Sequence, residues 1–362
     1  MQTMSSGLQW WFESMDHARK RRGVAMEQMG YAPVETASDI VLTAPGFRLR
    51  HYRGNGTSEH VALIVPAPIK RHYIWDLAPE CSVVQRAIDA GLQVYLVEWT
   101  EPGAEEASFG LEQYAFELLD QCVAVIRKQH ANGSFPRISL FSHSLGGILA
   151  AIYTALRPEY VASLVLIEAP LHFPKDQGAF GPLVAFGPKA SQVTSIFGRV
   201  PGSLLNLASV MASPSTFGSE PYADLMASLD SPVSMRSHFR VQRWMLDEAS
   251  MSPALFQDVV DQLYRGDAFM QGSLVIAGRA VSPISIVAPV LAVYDPRSRI
   301  IPPAAMTGFV KATSSATKRL LTYDGDTGVT LAHVGALVGE SAHRRIWPEI
   351  LQWAVKVDGT TH

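Results

Sequence analysis

Arg137-Ile138-Ser139-Leu140-Phe141-Ser142-His143-Ser144-Leu145-Gly146-Gly147-Ile148-Leu149-Ala150 is the stretch from which the fold is read. An apolar, strand-like run ends at Phe141. Small residues follow, and a helical pattern starts at Leu145 and continues through Ala150, Ala151, Tyr153 and Ala155. Strand, tight turn and helix with a serine at the tip is the arrangement called a nucleophile elbow, which lifts a hydroxyl above the end of a sheet. The usual pattern is G-x-S-x-G. Here Ser142-His143-Ser144-Leu145-Gly146 carries serine at the first glycine position. The turn brings strand and helix backbones close together, so the residues around the nucleophile must be small, and serine meets that demand. The helix N-terminus also aims free N–H groups at the place where an oxyanion would form. The competing readings are a Ser/Gly-rich turn without chemistry and a phosphate-binding turn. No G-K-[ST] follows, and no G-x-G-x-x-G fits.

The chain on either side alternates strands and helices. Ile40-Val41-Leu42 and Phe47–Tyr52 read as strands, with Asn55-Gly56 as a turn signal. Val61–Val65 is a continuous apolar run, as expected of a strand buried on both faces. A helix over Ser82–Ala90 is capped by Gly91, and Val94–Trp99 is the next strand. Leu111–His130 reads as a longer helix closed by Asn132-Gly133. The elbow strand follows, then Val161–Ile167, which ends in Glu168-Ala169-Pro170. This rhythm implies a mostly parallel central sheet flanked by helices, and with the elbow it predicts an α/β-hydrolase fold.

The rhythm breaks between about 171 and 285, where helical patterns at 203–211, 221–229, 233–248 and 253–265 predict an inserted, mainly helical cap. It resumes with strands at Val287–Tyr294 and Arg319–Tyr323 and a last helix ending near Val355. The expected division is an N-terminal helical lead-in over 1–38, a core over 39–170 and 286–362, and a cap over 171–285. In the lead-in, Leu8, Trp11, Phe12 and Met15 sit at helical spacing beside the basic run Arg19–Arg22. The spacing predicts a helix docked by its aromatic face with the basic residues solvated. The alternative is attachment to a lipid or polymer surface.

Composition narrows the function classes. The chain has 362 residues, 48% of them hydrophobic, and a net charge of −3, so no basic field is available to hold nucleic acid. No apolar run approaches the ~18 residues of a membrane span. The N-terminus lacks the basic-then-apolar order of a secretory signal, so the cytoplasm is expected. Cys81 and Cys122 suggest a reducing compartment without a disulfide framework. No metal-ligand spacing or dinucleotide fingerprint is present, so no cofactor is expected.

Ser144 needs a base, because a neutral hydroxyl is a weak nucleophile. His333 lies late in the chain with glycine two residues on, in the Ser…acid…His order of this fold. His72, His172, His238 and His343 lack that placement, and His143 inside the elbow reads as a packing residue. The acid has two candidates. Asp295 ends the strand that normally precedes the acid. Glu168 ends the strand after the elbow, and Ile167-Glu168-Ala169 is similar to haloalkane dehalogenases, which place the acid there. Asp324 and Asp326 are outsiders. For the oxyanion, the Leu145 N–H is one donor. The loop Pro66-Ala67-Pro68-Ile69-Lys70 supplies the other; its prolines have no N–H, which leaves Ile69 or Ala67.

Longer segments carry a family resemblance: Leu63-Ile64-Val65 with Ile69–Leu77, Gly91–Trp99, Val200–Asn206, Arg240–Asp247, Ala288–Leu291, Ile301-Pro302-Pro303 and His333-Val334-Gly335. On these the chain resembles polyhydroxyalkanoate synthases of the short-subunit type. The resemblance implies the fold, the cap and the histidine. It also implies a cysteine nucleophile where Ser144 stands, an aspartate where Ser298 stands, and an asparagine where Lys70 stands. The expected function is therefore a serine acyl hydrolase or acyltransferase. It would act on a hydroxyacyl ester or thioester, CoA- or carrier-linked thioesters included, through an acyl-serine. A polymerising acyltransferase and a non-catalytic homologue that binds a polymer or a synthase partner are the alternatives. A homodimer is compatible with this class.

Overall fold

The computed structural model describes residues 2–54, 60–130, 136–173 and 178–359, so the Asn55-Gly56 and Asn132-Gly133 turn signals lie outside the described residues. The strands are β1 (Asp39–Ala44), β2 (Phe47–Tyr52), β3 (Val61–Val65), β4 (Gln93–Trp99), β5 (Ile138–His143), β6 (Val161–Ile167), β7 (Leu274–Ile276), β8 (Arg279–Val281), β9 (Val290–Tyr294) and β10 (Lys318–Thr322). Eight of them form one sheet in the order β1-β2-β4-β3-β5-β6-β9-β10. The pairs β1–β2 and β2–β4 are antiparallel; every other pair in that sheet is parallel. This is the predicted α/β-hydrolase sheet. Every residue of β3, β5 and β6 is buried, which is why β3 reads as an unbroken apolar run and β5 and β6 as apolar runs interrupted only by buried serines and His143. The outer strand β10 carries Lys318 and Arg319 on exposed positions, a charged edge that discourages pairing with another chain.

The helices are α1 (Gln2–Met26), α2 (Val83–Asp89), α3 (Leu118–Gln129) and α4 (Leu145–Leu156), then α5 (Gly181–Phe186), α6 (Ala190–Ile196), α7 (Gly202–Ala212), α8 (Glu220–Ser228), α9 (Pro232–Met245), α10 (Pro253–Gln257) and α11 (Ala268–Gln271) in the insert. After β9 come α12 (Pro303–Ala312), α13 (Ala332–Val338) and α14 (Trp347–Gly359). All of α4 is buried, as its all-round apolar sequence requires. Cys81 and Cys122 are buried free thiols. Among the described residues no helix is long and apolar enough to cross a membrane.

Several expectations are corrected. The basic run is not wholly solvated: Arg19 pairs with Glu248 at 2.5 Å and donates to Met245 O at 2.6 Å. The lead-in helix docks on α7 and α9 of the insert. Phe12 is buried edge-on against Phe197, while Trp10 and Trp11 are exposed. The strand expected from Val287 begins at Val290, after Pro289, which has no N–H for a ladder. The helix read to 248 ends at Met245, and the last helix runs on to Gly359. The insert also holds α5, α6, α11 and the β7–β8 hairpin, pieces too short to show a period.

Candidate active site

The elbow is built by close packing. Ser144 follows β5 with φ 54° and ψ −133°, a backbone region that L-residues avoid. Its N–H donates to Ile167 O at 3.0 Å, and Gly147 N–H donates to Ser144 O at 2.8 Å, which closes the turn. A Cβ on Gly146 would lie 2.2 Å from Val65 O and 2.7 Å from Pro66 O; one on Gly147 would lie 2.4 Å from Ala169 Cβ. Serine is tolerated at 142 because its buried hydroxyl donates to Val165 O at 3.0 Å, on the neighbouring strand. Gly146→Ala is therefore expected to lower stability by roughly 1–3 kcal/mol through overpacking, read as a lower Tm. An unchanged Tm would contradict the packing.

Ser144, Leu145, Ile69, Ala67 and His333 line one cavity of about 440 Å³. Among the described residues, neither the Leu145 nor the Ile69 N–H donates to a turn or loop acceptor. Leu145 opens α4, where the N–H has no intrahelical partner. The Ile69 carbonyl accepts from Ala249 N–H at 3.0 Å, so the insert pins the loop from behind. Lys70 reinforces this: its ammonium lies 2.7 Å from Glu248 and donates to Met245 O at 3.0 Å. Lys70 therefore ties the loop to the insert by a buried ion pair.

His333 is the second residue of α13. Its Nδ1 lies 3.7 Å from Glu168 Oε2, longer than the ~3.2 Å of the hydrogen bond expected of a triad acid. Both atoms are buried without any other partner. Glu168 sits just past β6 with φ 43°, a second strained residue at the site. Its Oε1 accepts from the Asp295 N–H, and the Ser298 hydroxyl bonds the same carboxyl. Burial pushes the Glu168 carboxyl up to about 8, against the pull of those two bonds and with the Asp295 charge adding to the rise. Burial also pushes the His333 imidazole down to about 4.

His143 lies beside His333, with ring centroids 4.6 Å apart, and its Nε2–H donates to the His333 carbonyl at 2.9 Å. Burial holds its pKa well below the ordinary value, so the ring is neutral. The residue read as packing thus also anchors the His333 backbone.

The Asp295 side chain is not brought to His333. It accepts from Arg297 N–H at 2.8 Å and Arg297 Nε at 3.2 Å. Asp326 is held by Tyr323 and Ser341. The other four histidines weighed as the base are paired elsewhere: His72 with Glu35, His172 with Asp267, His238 with Asp224, and His343 with Arg86. Ser298 as a partner of Glu168 was missed; the signal was its place at the position the resemblance gives to an aspartate. From the insert, Met211, Phe217, Trp244 and Met251 line the cavity, whereas Met226, Met235 and Met245 do not.

No protein-family model matches the chain. A poly(3-hydroxyalkanoate) polymerase subunit of Haloferax mediterranei is 28% identical over 324 residues, covering 88% of this chain and 64% of the relative. One of Allochromatium vinosum is 25% identical over 291 residues, covering 80% of this chain and 79% of the relative. This chain is similar to poly(3-hydroxyalkanoate) polymerase subunits over most of its length. It spans somewhat under two thirds of the Haloferax subunit. Among solved structures, the monoacylglycerol lipase of Paleococcus ferrophilus matches with TM-score 0.55 at 17% identity, over 85% of this chain and 99% of the lipase. A soluble variant of the Saccharomyces cerevisiae monoglyceride lipase matches with TM-score 0.56 at 14% identity, over 90% and 96%. These two share the fold.

Proposed function

We propose that the chain is an acyl hydrolase or acyltransferase acting on a hydroxyacyl ester or thioester, CoA thioesters included, as a cytoplasmic enzyme. The observation that carries this reading is the Ser144 elbow, whose strained backbone sets the serine in one cavity with His333 and with the N–H groups of Leu145 and Ile69. Ser144 Oγ attacks the acyl carbonyl and its proton passes to His333. The two N–H groups hold the oxyanion. The oxyanion collapses, the alcohol or thiol leaves with the proton from His333, and an acyl-serine remains. Water or an alcohol, deprotonated by His333, then releases the acyl group. Glu168 is the acid that orients the imidazole and stabilises its charged form. The likeness to polymerase subunits supports a second reading, in which the acceptor is the hydroxyl of a growing ester chain. Incubation with a hydroxyacyl-CoA separates the two: free hydroxy acid marks hydrolysis, and an insoluble polyester marks polymerisation. Release of neither acid, polymer nor CoA would sink both.

The segment 171–285 acts as a cap over Ser144. Met211, Phe217, Trp244, Met251 and Tyr264 give the cavity an apolar, adaptable wall. Each buried methylene contributes about 0.8 kcal/mol, so p-nitrophenyl octanoate should exceed the acetate in kcat/KM by roughly tenfold or more. A flat chain-length profile would contradict the acyl-binding role of this wall.

A further inference from the structure

The loop between β10 and α13 delivers His333, and its last turn is strained. Thr330 has φ 61°, an outlier for a β-branched residue. Leu331 N–H donates to Val329 O at 2.6 Å, so Thr330 is the centre of a γ-turn of the rare, positive-φ kind. Leu331 caps α13 and His333 stands two residues later, so this turn sets where the helix begins and where the imidazole lies.

What holds the turn comes from the cap. Asp224, on α8, accepts from Gly328 N–H at 2.8 Å through Oδ1 and from Thr330 N–H at 2.9 Å through Oδ2. His238, on α9, lies with Nδ1 2.7 Å from Asp224 Oδ2 and is almost wholly buried. The Thr330 hydroxyl donates to His238 O at 3.2 Å and lies 2.9 Å from its Nδ1. Gly328 presses onto α9 so closely that a Cβ would meet Ser234 O at 2.7 Å. Two backbone N–H groups of the core loop are therefore satisfied by one carboxylate of the cap. A cap that swings away must break both bonds and release the turn.

We propose that Asp224, clamped by His238, is a positioning residue. The cap uses it to hold the Thr330 turn in its strained form and so to keep His333 in register with Ser144. This rests on the reading of His333 as the base. A displacement of about 1 Å at a reacting group can lower a rate on the order of 10²-fold.

The test is made on the full chain with p-nitrophenyl octanoate and with a fluorophosphonate that labels the nucleophilic serine, well below the Tm of every variant. Asp224→Asn keeps the shape but presents an NH2 to a backbone N–H. It should lower kcat and the labelling rate together, on the order of 10- to 100-fold, with KM changed much less. Thr330→Gly, added to Asp224→Asn, should restore part of the rate, because glycine adopts positive φ without strain. His238→Asn, which keeps a donor near the Nδ1 position, should lose less than His238→Leu. These two variants give the same reading if Asp224→Asn fails to fold. Asp224→Asn with wild-type kcat and labelling, or with a lower Tm as its only defect, would overturn the proposal. A wild-type chain that takes no label, or a His333→Ala variant labelled at the wild-type rate, would instead overturn the parent reading.

Discussion

Ser144→Ala and His333→Ala are each expected to lower kcat for ester hydrolysis by about 10³- to 10⁶-fold. The effect is this large because in the proposed mechanism the two residues act as a unit. Without Ser144 no acyl-enzyme forms. Without His333 the hydroxyl stays protonated and the leaving group finds no acid. The double variant should therefore be little worse than either single one, since members of a catalytic unit are not additive. Rates are compared at equal folded fraction, judged by thermal unfolding. A retained rate in either single variant would move the chemistry away from this cavity.

The second large effect is expected of Glu168→Gln, which keeps the acceptor for the Asp295 N–H but cannot carry charge. Only the ionised carboxylate supplies the charge that stabilises the imidazolium, so kcat should fall by about 10⁴-fold. The wild-type enzyme should gain kcat/KM as pH rises through the neighbourhood of 8, where burial has pushed this carboxyl, and that ascending limb should vanish in the variant. Stability should move the other way. A carboxyl raised from 4.5 to about 8 in the folded chain favours folding while it stays protonated, and that stability is lost as pH climbs through 8. Glutamine cannot ionise, so the variant should melt higher than wild type above pH 8, with the gap closing toward pH 4.5. Asp295→Asn should leave kcat nearly intact, because its carboxylate is engaged by Arg297. The reverse pattern, a large loss for Asp295→Asn and a small one for Glu168→Gln, would return the acid to the strand that normally precedes it.

The sheet was legible because β3, β5 and β6 are buried on both faces, and that condition leaves apolar runs that no flanking turn obscures. The elbow was legible because its geometry is local: Gly146 and Gly147 are demanded by Val65, Pro66 and Ala169 within a few ångströms. The choice of acid was not. Glu168 and Asp295 end neighbouring strands, and only folding reveals that one carboxyl faces His333 while the other turns to Arg297, two residues along. The fate of Arg19 and Lys70 was hidden for a similar reason. Both side chains pair with the same carboxylate, Glu248, a residue of the insert far away in sequence. The short pieces of the insert were missed because α5, α11 and the β7–β8 hairpin are too brief to establish any period.

The central claim, that Ser144 is an activated nucleophile, is tested most directly by mass spectrometry of the wild-type chain after reaction with a fluorophosphonate. The expected result is a single adduct on the peptide carrying Ser144, absent from Ser144→Ala and formed far more slowly in His333→Ala. No adduct, or an adduct on a different residue, would contradict the account.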